Sequence, residues 1–244
     1  MPLGVTPYII AEAGTNHADL SEQDRYSRVF DLMWAAKSAG ADAVKFQLFR
    51  PPEDLFCPME GDDKRFHRWW QTTISDSRWK TIHTVCQSAG IDLILSAFQP
   101  SGVELINELG ITHKVASRAA GNYPYDMMRG QSIGSNGFVR PRTDYVLQCA
   151  PEYPVPLSRA AWEAPHLESV SGEEYLETTT DGLSDHSGAV WPAIDALARG
   201  AGIIEVHFRP EGFEPGPDAP VELTTSQLKL ICEARDAFTE MRQG

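Results

Sequence analysis

Short apolar runs alternate with amphipathic stretches along the whole chain. Tyr8-Ile9-Ile10-Ala11-Glu12 reads as a first strand, and helical periodicity over 22–39 follows it and stops at Gly40. The same alternation predicts strands at Asp42–Gln47, Ile91–Ser96 and His113–Ser117, and helices at 76–89 and 100–109. Between the second strand and the helix at 76–89, residues 49–75 read as a long loop rich in Pro, Asp and aromatics. Further on the pattern thins. Gln131–Gly134 is a stub of a fifth strand, and 135–143 is too short and too rich in Gly, Pro and Arg for a helix. Tyr145–Cys149 is a sixth strand, with a helix expected within 157–169 and a weak seventh strand within 179–184. A helix at 188–200, an eighth strand at 202–207 and a last helix at 224–241 complete the series.

Continuous apolar strands separated by helices indicate a parallel sheet covered by helices. Eight strands in 244 residues favour a closed α/β barrel, the (β/α)8 or TIM fold, with one outer helix missing. No linker or solenoid repeat interrupts it, so a single domain over 1–244 is expected.

Composition narrows the function. With 42% apolar residues the chain can fill a sizeable core, as a soluble enzyme does. A net charge of −13 argues against nucleic acid and anionic membranes as partners, so an anionic substrate needs a local basic pocket. Cys57, Cys86, Cys149 and Cys232 are far apart and form no CxxC pair, which reads as buried thiols in a reducing cytosol. Met1-Pro2-Leu3-Gly4 has no signal-peptide character, and no apolar run reaches the ~20 residues of a membrane span. A cytoplasmic location is expected.

Polar residues gather at the C-terminal strand ends, where such a barrel builds its active site. They are Glu12 with Asn16 and His17, Lys45 with Gln47, Ser96, Lys114 with Ser117, Ser132, Gln148, Asp185 with His186, and His207. A lysine in an otherwise apolar strand is costly to bury without a partner, so Lys45 and Lys114, near Ser96, Ser117 and Ser132, suggest an anion cradle. His186 and His207 end consecutive strands of a strand–helix–strand unit, 21 residues apart, and two such imidazoles side by side suit one divalent metal. The structural alternatives are plain: a strand-end histidine is more often a hydrogen-bonded structural residue, and Asn16-His17 is also ordinary turn chemistry. The aromatic run Phe66-His67-Arg68-Trp69-Trp70 reads as a loop folded over the barrel.

Several motifs in one order resemble the sialic acid synthase family. They are Glu12-Ala13-Gly14-Thr15-Asn16-His17, Val44-Lys45-Phe46-Gln47, Lys114-Val115-Ala116-Ser117, Tyr153-Pro154, Ser184-Asp185-His186, Glu205-Val206-His207-Phe208 and Gly216-Pro217-Asp218. The resemblance implies condensation of phosphoenolpyruvate with an N-acylated aldehyde sugar, giving a nonulosonic acid and phosphate. It implies Glu12, Lys45, Lys114 and Asp185 as catalytic residues and His186 and His207 as ligands of a divalent metal, manganese before magnesium or cobalt. Asn16, Gln47, Ser96, Ser117, Ser132, Tyr153, Ser184 and Asp218 are implied to bind substrate.

Departures from the family fall on the sugar side. Family members usually continue into an antifreeze-protein-like domain that lends an arginine to a partner subunit, whereas this chain ends at Gly244. A homodimer or a separate antifreeze-like partner is therefore an expectation. Ala119 stands where the family has an acidic residue, Pro151 replaces an asparagine, Gln148 a histidine and Val206 a lysine. The expected activity is thus a phosphoenolpyruvate-dependent synthase with an altered aldehyde acceptor, with Arg118, Arg140 and Arg142 either facing an anionic acceptor or lying on the surface. The alternatives are a metal-dependent aldolase or lyase acting on a pyruvate-like substrate, and a non-catalytic barrel subunit.

Overall fold

A computed structural model of the chain describes residues 6–19, 21–50, 55–56, 63–163 and 180–243. Eight parallel strands close into a barrel in sequence order, as the alternation predicts: β1 (Tyr8–Gly14), β2 (Ala43–Leu48), β3 (Asp92–Ala97), β4 (His113–Val115), β5 (Ser132–Ser135), β6 (Tyr145–Cys149), β7 (Gly182–Asp185) and β8 (Ile203–His207). Closure comes from β1 pairing with β8, Ile10 opposite Glu205 and Glu12 opposite His207.

The interior is layered by the two-residue period of the strands. Ile10, Ala43, Ile94, Ile133, Leu147 and Ile203 form an apolar plug. Two residues further along the same six strands stand Glu12, Lys45, Ser96, Ser135, Cys149 and Glu205. Hydrocarbon therefore floors the barrel, and the layer nearer the C-terminal mouth is polar. Gly182 is required where β7 crosses β8, because a Cβ there would lie 1.8 Å from the Ile203 carbonyl oxygen.

Helices α1 (Glu22–Ala39), α2 (Asp63–Trp70), α3 (Asp76–Ala89), α4 (Pro100–Leu109), α5 (Trp191–Ala198) and α6 (Thr225–Gln243) surround the strands. In α1 the Ser21 hydroxyl caps the Asp24 amide at 3.0 Å, and Val29, Leu32, Met33 and Ala36 form the buried stripe.

Several expected boundaries change. Helix α2 lies inside the stretch read as loop; at 8 residues it is too short for its period to show against a polar, proline-flanked background. Within 157–163 there is only a 3-10 turn at Leu157–Arg159, and 164–169 lie outside the described residues. The helix expected over 188–200 contracts to α5. No α-helix follows β5, as expected, but none follows β4 either; residues 116–131 contain only a 3-10 turn at Tyr125–Met127. On β5 the returning loop takes the place of a helix: a Cβ on Gly134 would meet Pro141 Cγ at 2.3 Å. Among the described residues no helix is long and apolar enough to cross a membrane.

Two histidines away from the mouth are structural. His17 is fully buried, donates from Nε2 to the Thr72 carbonyl at 3.1 Å, and sits edge-on to Phe46 and Trp79. Burial pushes its pKa down to about 3, and it pushes that of His113, whose Nε2 lies 2.8 Å from Asn107 Oδ1, down to about 4. Both rings are neutral in the fold but protonate in the unfolded chain near the ordinary pKa of 6.5. Below that pH the unfolded chain binds more protons, so this stability is complete above it and drains away as pH falls toward 4. Denaturant melts between pH 7 and 5 should show the loss. In His113→Gln the slope should shrink by up to ~1.4 kcal/mol per pH unit. An unchanged slope would show that His113 does not titrate on unfolding.

Candidate active site

Four charged side chains meet in the polar layer. Lys45 Nζ lies 2.7 Å from Glu12 Oε2 and 3.5 Å from Glu205 Oε2, and Lys114 Nζ lies 3.4 Å from Glu205 Oε1. Hydroxyls complete the cluster: Lys114 donates to Ser135 Oγ at 2.8 Å, Lys45 to Ser96 Oγ at 3.4 Å, and Ser184 to Glu205 Oε1 at 2.8 Å. All four charges are buried.

The two lysines respond differently to one environment. Burial opposes the charge on each. For Lys45 the flanking carboxylates Glu12 and Glu205 outweigh it and raise the pKa. Lys114 has Glu205 as its near carboxylate and feels Lys45 as a like charge, so burial wins and its pKa falls. Glu205 is buried too, but the two ammonium groups hold its carboxyl below the usual range. Two cations face two anions, and the cluster is neutral overall.

Beside it stand the two histidines, ring centres 5.2 Å apart and planes at 64°. The His186 ring is oriented by the Ala150 carbonyl, 3.0 Å from Nδ1, which selects the tautomer with a lone pair on Nε2. The Tyr153 hydroxyl approaches that Nε2 at 3.0 Å while its ring stacks on the imidazole at 4.2 Å. Burial, reinforced by His207, lowers the His186 pKa to about 3, and the neutral ring is the form that binds a metal. His207 Nδ1 is 3.8 Å from Asp218 Oδ2. Among the described residues no group of three or more His, Cys, Asp or Glu side chains is placed to hold a metal. The donor set is therefore a pair of imidazoles, which suits an ion that takes its remaining ligands from water and substrate rather than a closed structural site.

Above the cluster opens a cleft of about 260 Å³, lined by Gln47, Ser117, Cys149, Tyr153, His186 and Asp218 together with Thr15, Arg68 and Arg118. Its aromatic wall is a stack: Trp69 of α2 and Phe98 lie against opposite neighbours of the series through Phe49, at 4.2 and 4.6 Å between ring centres. The run at 66–70 thus contributes to the cleft through a helix, not a loop. Ser117 Oγ is buried in the lining without a hydrogen-bond partner among the described residues, an orphan that a ligand oxygen would satisfy. Gly14, at φ +53°, leaves room for these polar groups to meet: a Cβ there would lie 3.2 Å from Asp218 Oδ2 and 3.5 Å from Glu12 Oε1.

Glu12, Lys45, Gln47, Ser96, Lys114, Ser117, Tyr153, Ser184, His186, His207 and Asp218 therefore gather in or beside one region. Three expected site residues spend their side chains on structural bonds instead. Ser132 begins β5, at the far end from the mouth, where its amide and hydroxyl bond Asp144 Oδ2 at 2.8 and 2.9 Å; Ser135, three residues on, takes the expected place beside Lys114. Asp185 spends its carboxylate on the Ser187 amide and hydroxyl, at 3.1 and 2.7 Å, and so holds the turn that carries His186. Burial raises its pKa to about 6. The Asn16 side-chain nitrogen is spent on the Phe208 carbonyl and Glu222, which ties the loop after β8 to the loop after β1. Gln148 faces outward and bonds Ala161 and Glu163.

The sequence reading passed over Glu205, Ser135, Cys149 and Arg68. Glu205 had a readable signal, since it lies two residues before His207 and so on the same strand face. Of the three arginines expected at an acceptor, Arg118 lines the cleft, whereas Arg142 stacks on Tyr125 at 4.7 Å.

The NeuB family model matches residues 32–129 and 140–244. The chain belongs to the NeuB family. The gap between the matched segments spans β5, where the barrel has lost its outer helix. Among curated relatives of this NeuB family chain, the N,N'-diacetyllegionaminic acid synthase of Campylobacter jejuni is 26% identical over 268 residues, covering 96% of this chain and 75% of the relative. The pseudaminic acid synthase of the same species is 26% identical, over 97% of this chain and 75% of the relative. The crystal structure of an N-acetylneuraminic acid synthetase from Leptospira borgpetersenii, in complex with citrate, superposes with a TM-score of 0.76 at 20% identity, over 99% of this chain and 87% of that one. That likeness supports the fold.

Proposed function

We propose that this NeuB family chain is a synthase that condenses phosphoenolpyruvate with an aldehyde sugar, forming a carbon–carbon bond and releasing phosphate. The observation that carries the reading is the buried Lys45–Glu12 and Lys114–Glu205 cluster directly beneath a cleft lined by His186, in a chain related to synthases of nonulosonic acids. Burying four charges is costly, and structure alone gives no reason to keep them.

Lys45 and Lys114, with Ser96, Ser117 and Ser135, would hold the carboxylate and phosphate of the enolpyruvate and fix its alkene face toward the cleft. Its C3 attacks the aldehyde carbon, the aldehyde oxygen takes the electron pair as an alkoxide, and C2 is left electron-poor. Glu12, already set against Lys45, takes a proton from the water that adds to C2 and passes it to that alkoxide, which becomes the product hydroxyl. The resulting tetrahedral carbon expels phosphate by C–O cleavage, the proton of its new hydroxyl leaves with the phosphate as the ketone forms, and the ammonium and hydroxyl groups balance the charge as it moves to the leaving oxygens. Gln47, Tyr153 and Asp218 line the space left for the sugar. His186 and His207 would hold a divalent metal, manganese by expectation, which when bound supplies Lewis-acid polarisation of the aldehyde.

Incubation with phosphoenolpyruvate, manganese and N-acyl mannosamines tests the reading. Phosphate release in step with aldehyde consumption is expected, and with bridge-labelled enolpyruvate the label leaves with phosphate. Release that ignores the aldehyde, or label retained in the organic product, would overturn it. Serine variants provide a second check. Ser132→Ala should lose about 1 kcal/mol of stability and keep kcat/KM within about twofold. Ser135→Ala, by removing the Lys114 acceptor, should lower kcat/KM about tenfold. Reversed results would return Ser132 to the site.

A further inference from the structure

Beyond β8 the chain turns back on the strand it has just left. Leu223 donates its amide to the His207 carbonyl at 2.9 Å, accepts the Arg209 amide at 2.8 Å and bridges Phe208 in parallel. The segment 216–223 therefore lies over the end of β8. It carries Asp218 into the cleft lining, with Oδ2 3.8 Å from His207 Nδ1. Backbone bonds fix its last residue, and the side chain of Glu222 ties it sideways to the loop after β1.

The Glu222 side chain is only 2% exposed, and both of its oxygens are used. Oε1 accepts Asn16 Nδ2 and Oε2 accepts Arg209 Nε, each at 2.7 Å. Each partner is anchored in turn: Asn16 Nδ2 also donates to the Phe208 carbonyl at 3.2 Å, and Arg209 Nη1 to the Phe213 carbonyl at 2.5 Å. Two donors thus converge on one side chain, which must accept on both arms. A carboxylate does so, whereas an amide would turn its NH2 group toward one donor. Packing around the segment is close, since a Cβ on Gly188 would lie 2.6 Å from the Pro220 carbonyl oxygen and one on Gly216 3.0 Å from Asn16 Oδ1. Glu222 is not among the residues lining the cleft.

We infer that Glu222, braced by Arg209, is a positioning residue for the acceptor half of the site. It sets the spacing between the loop after β1 and segment 216–223, and with it the place of Asp218. This rests on the synthase reading, in which Asp218 lines the space for the sugar. Lys45 and Lys114, which would hold the enolpyruvate, stand on β2 and β4 and bond instead to Glu12, Glu205, Ser96 and Ser135. Loosening the segment should therefore weaken one substrate and spare the other.

Steady-state kinetics with N-acetylmannosamine, phosphoenolpyruvate and manganese test it. Glu222→Gln should raise the N-acetylmannosamine KM about tenfold and leave the phosphoenolpyruvate KM within about twofold. Unchanged constants, or equal rises in both KM values, would overturn the inference. Arg209→Met/Glu222→Leu removes the buried pair from both sides and should melt close to wild type, yet keep the raised sugar KM. A wild-type sugar KM in the double variant would reduce the pair to fold stability; the double also carries the comparison if Glu222→Gln melts below the assay temperature. If wild type releases no phosphate with this sugar, that failure belongs to the synthase reading, and hydrogen exchange without substrate decides the positioning. Amides of 219–223 should then exchange about tenfold faster in Glu222→Gln, with β2 and β4 unaffected. Equal exchange in the two proteins, or acceleration throughout the barrel, would overturn it.

Discussion

Glu205→Leu is expected to lower the melting temperature by about 10 °C and to abolish turnover. Its carboxylate lies within 3.5 Å of two buried ammonium groups and accepts the Ser184 hydroxyl at 2.8 Å. An isosteric apolar side chain would leave Lys114 without a carboxylate and Lys45 with Glu12 alone. Breaking a buried pair from one side costs about 3–5 kcal/mol, because the abandoned charge stays desolvated. In a domain of this size each kcal/mol is worth roughly 2–4 °C. Calorimetry on the single variant and on Glu205→Leu/Lys114→Met separates charge from packing. The double variant restores neutrality and should melt above the single one, despite carrying two core substitutions. If the double melts lower, by the sum of two independent losses, the cluster is not electrostatically coupled.

His207→Ala and His186→Ala should each lose bound manganese together with turnover. Among the described residues two imidazoles are the proposed donors, so on this reading either loss leaves a single ligand, which cannot compete with water for a divalent ion. A drop in turnover of at least ~1000-fold is expected, with metal content at background by atomic emission. Both metal-free variants should melt within a few degrees of the metal-free wild type, because the rings pack against each other and Tyr153 in the polar mouth. Tyr153→Phe offers a control. Its hydroxyl occupies the His186 Nε2 lone pair, so removing it should leave manganese binding at least as tight as in wild type. Wild-type metal content in either histidine variant would remove the pair from the metal assignment.

The strands, and with them most of the mouth, were legible in the chain. Lys45 and Lys114 stood out because ammonium groups in apolar strands need partners, and His186 and His207 because they end consecutive strands. These inferences hold because strand periodicity and the parallel barrel's polarity assign each position to a face and an end without reference to neighbours. Helix α2 was hidden for want of a period. The register of the fifth strand was hidden for want of a pattern: in Ser132-Ile133-Gly134-Ser135 a serine stands at each end, and only pairing with β4 and β6 shows which one meets Lys114.

What the sequence by itself determined is therefore the barrel, its direction and the roster of chemistry at its mouth. The tertiary structure alone decided who meets whom. Glu205 of β8 neutralises Lys45 of β2, next but one to it, and Lys114 of β4, across the barrel; Asp185 turns away into its own loop, and Arg68 reaches the cleft by clasping Thr15 from 53 residues away. Local pattern sets the face a side chain occupies. Its partner, and hence its charge and its role, is set by which distant strands barrel closure brings alongside.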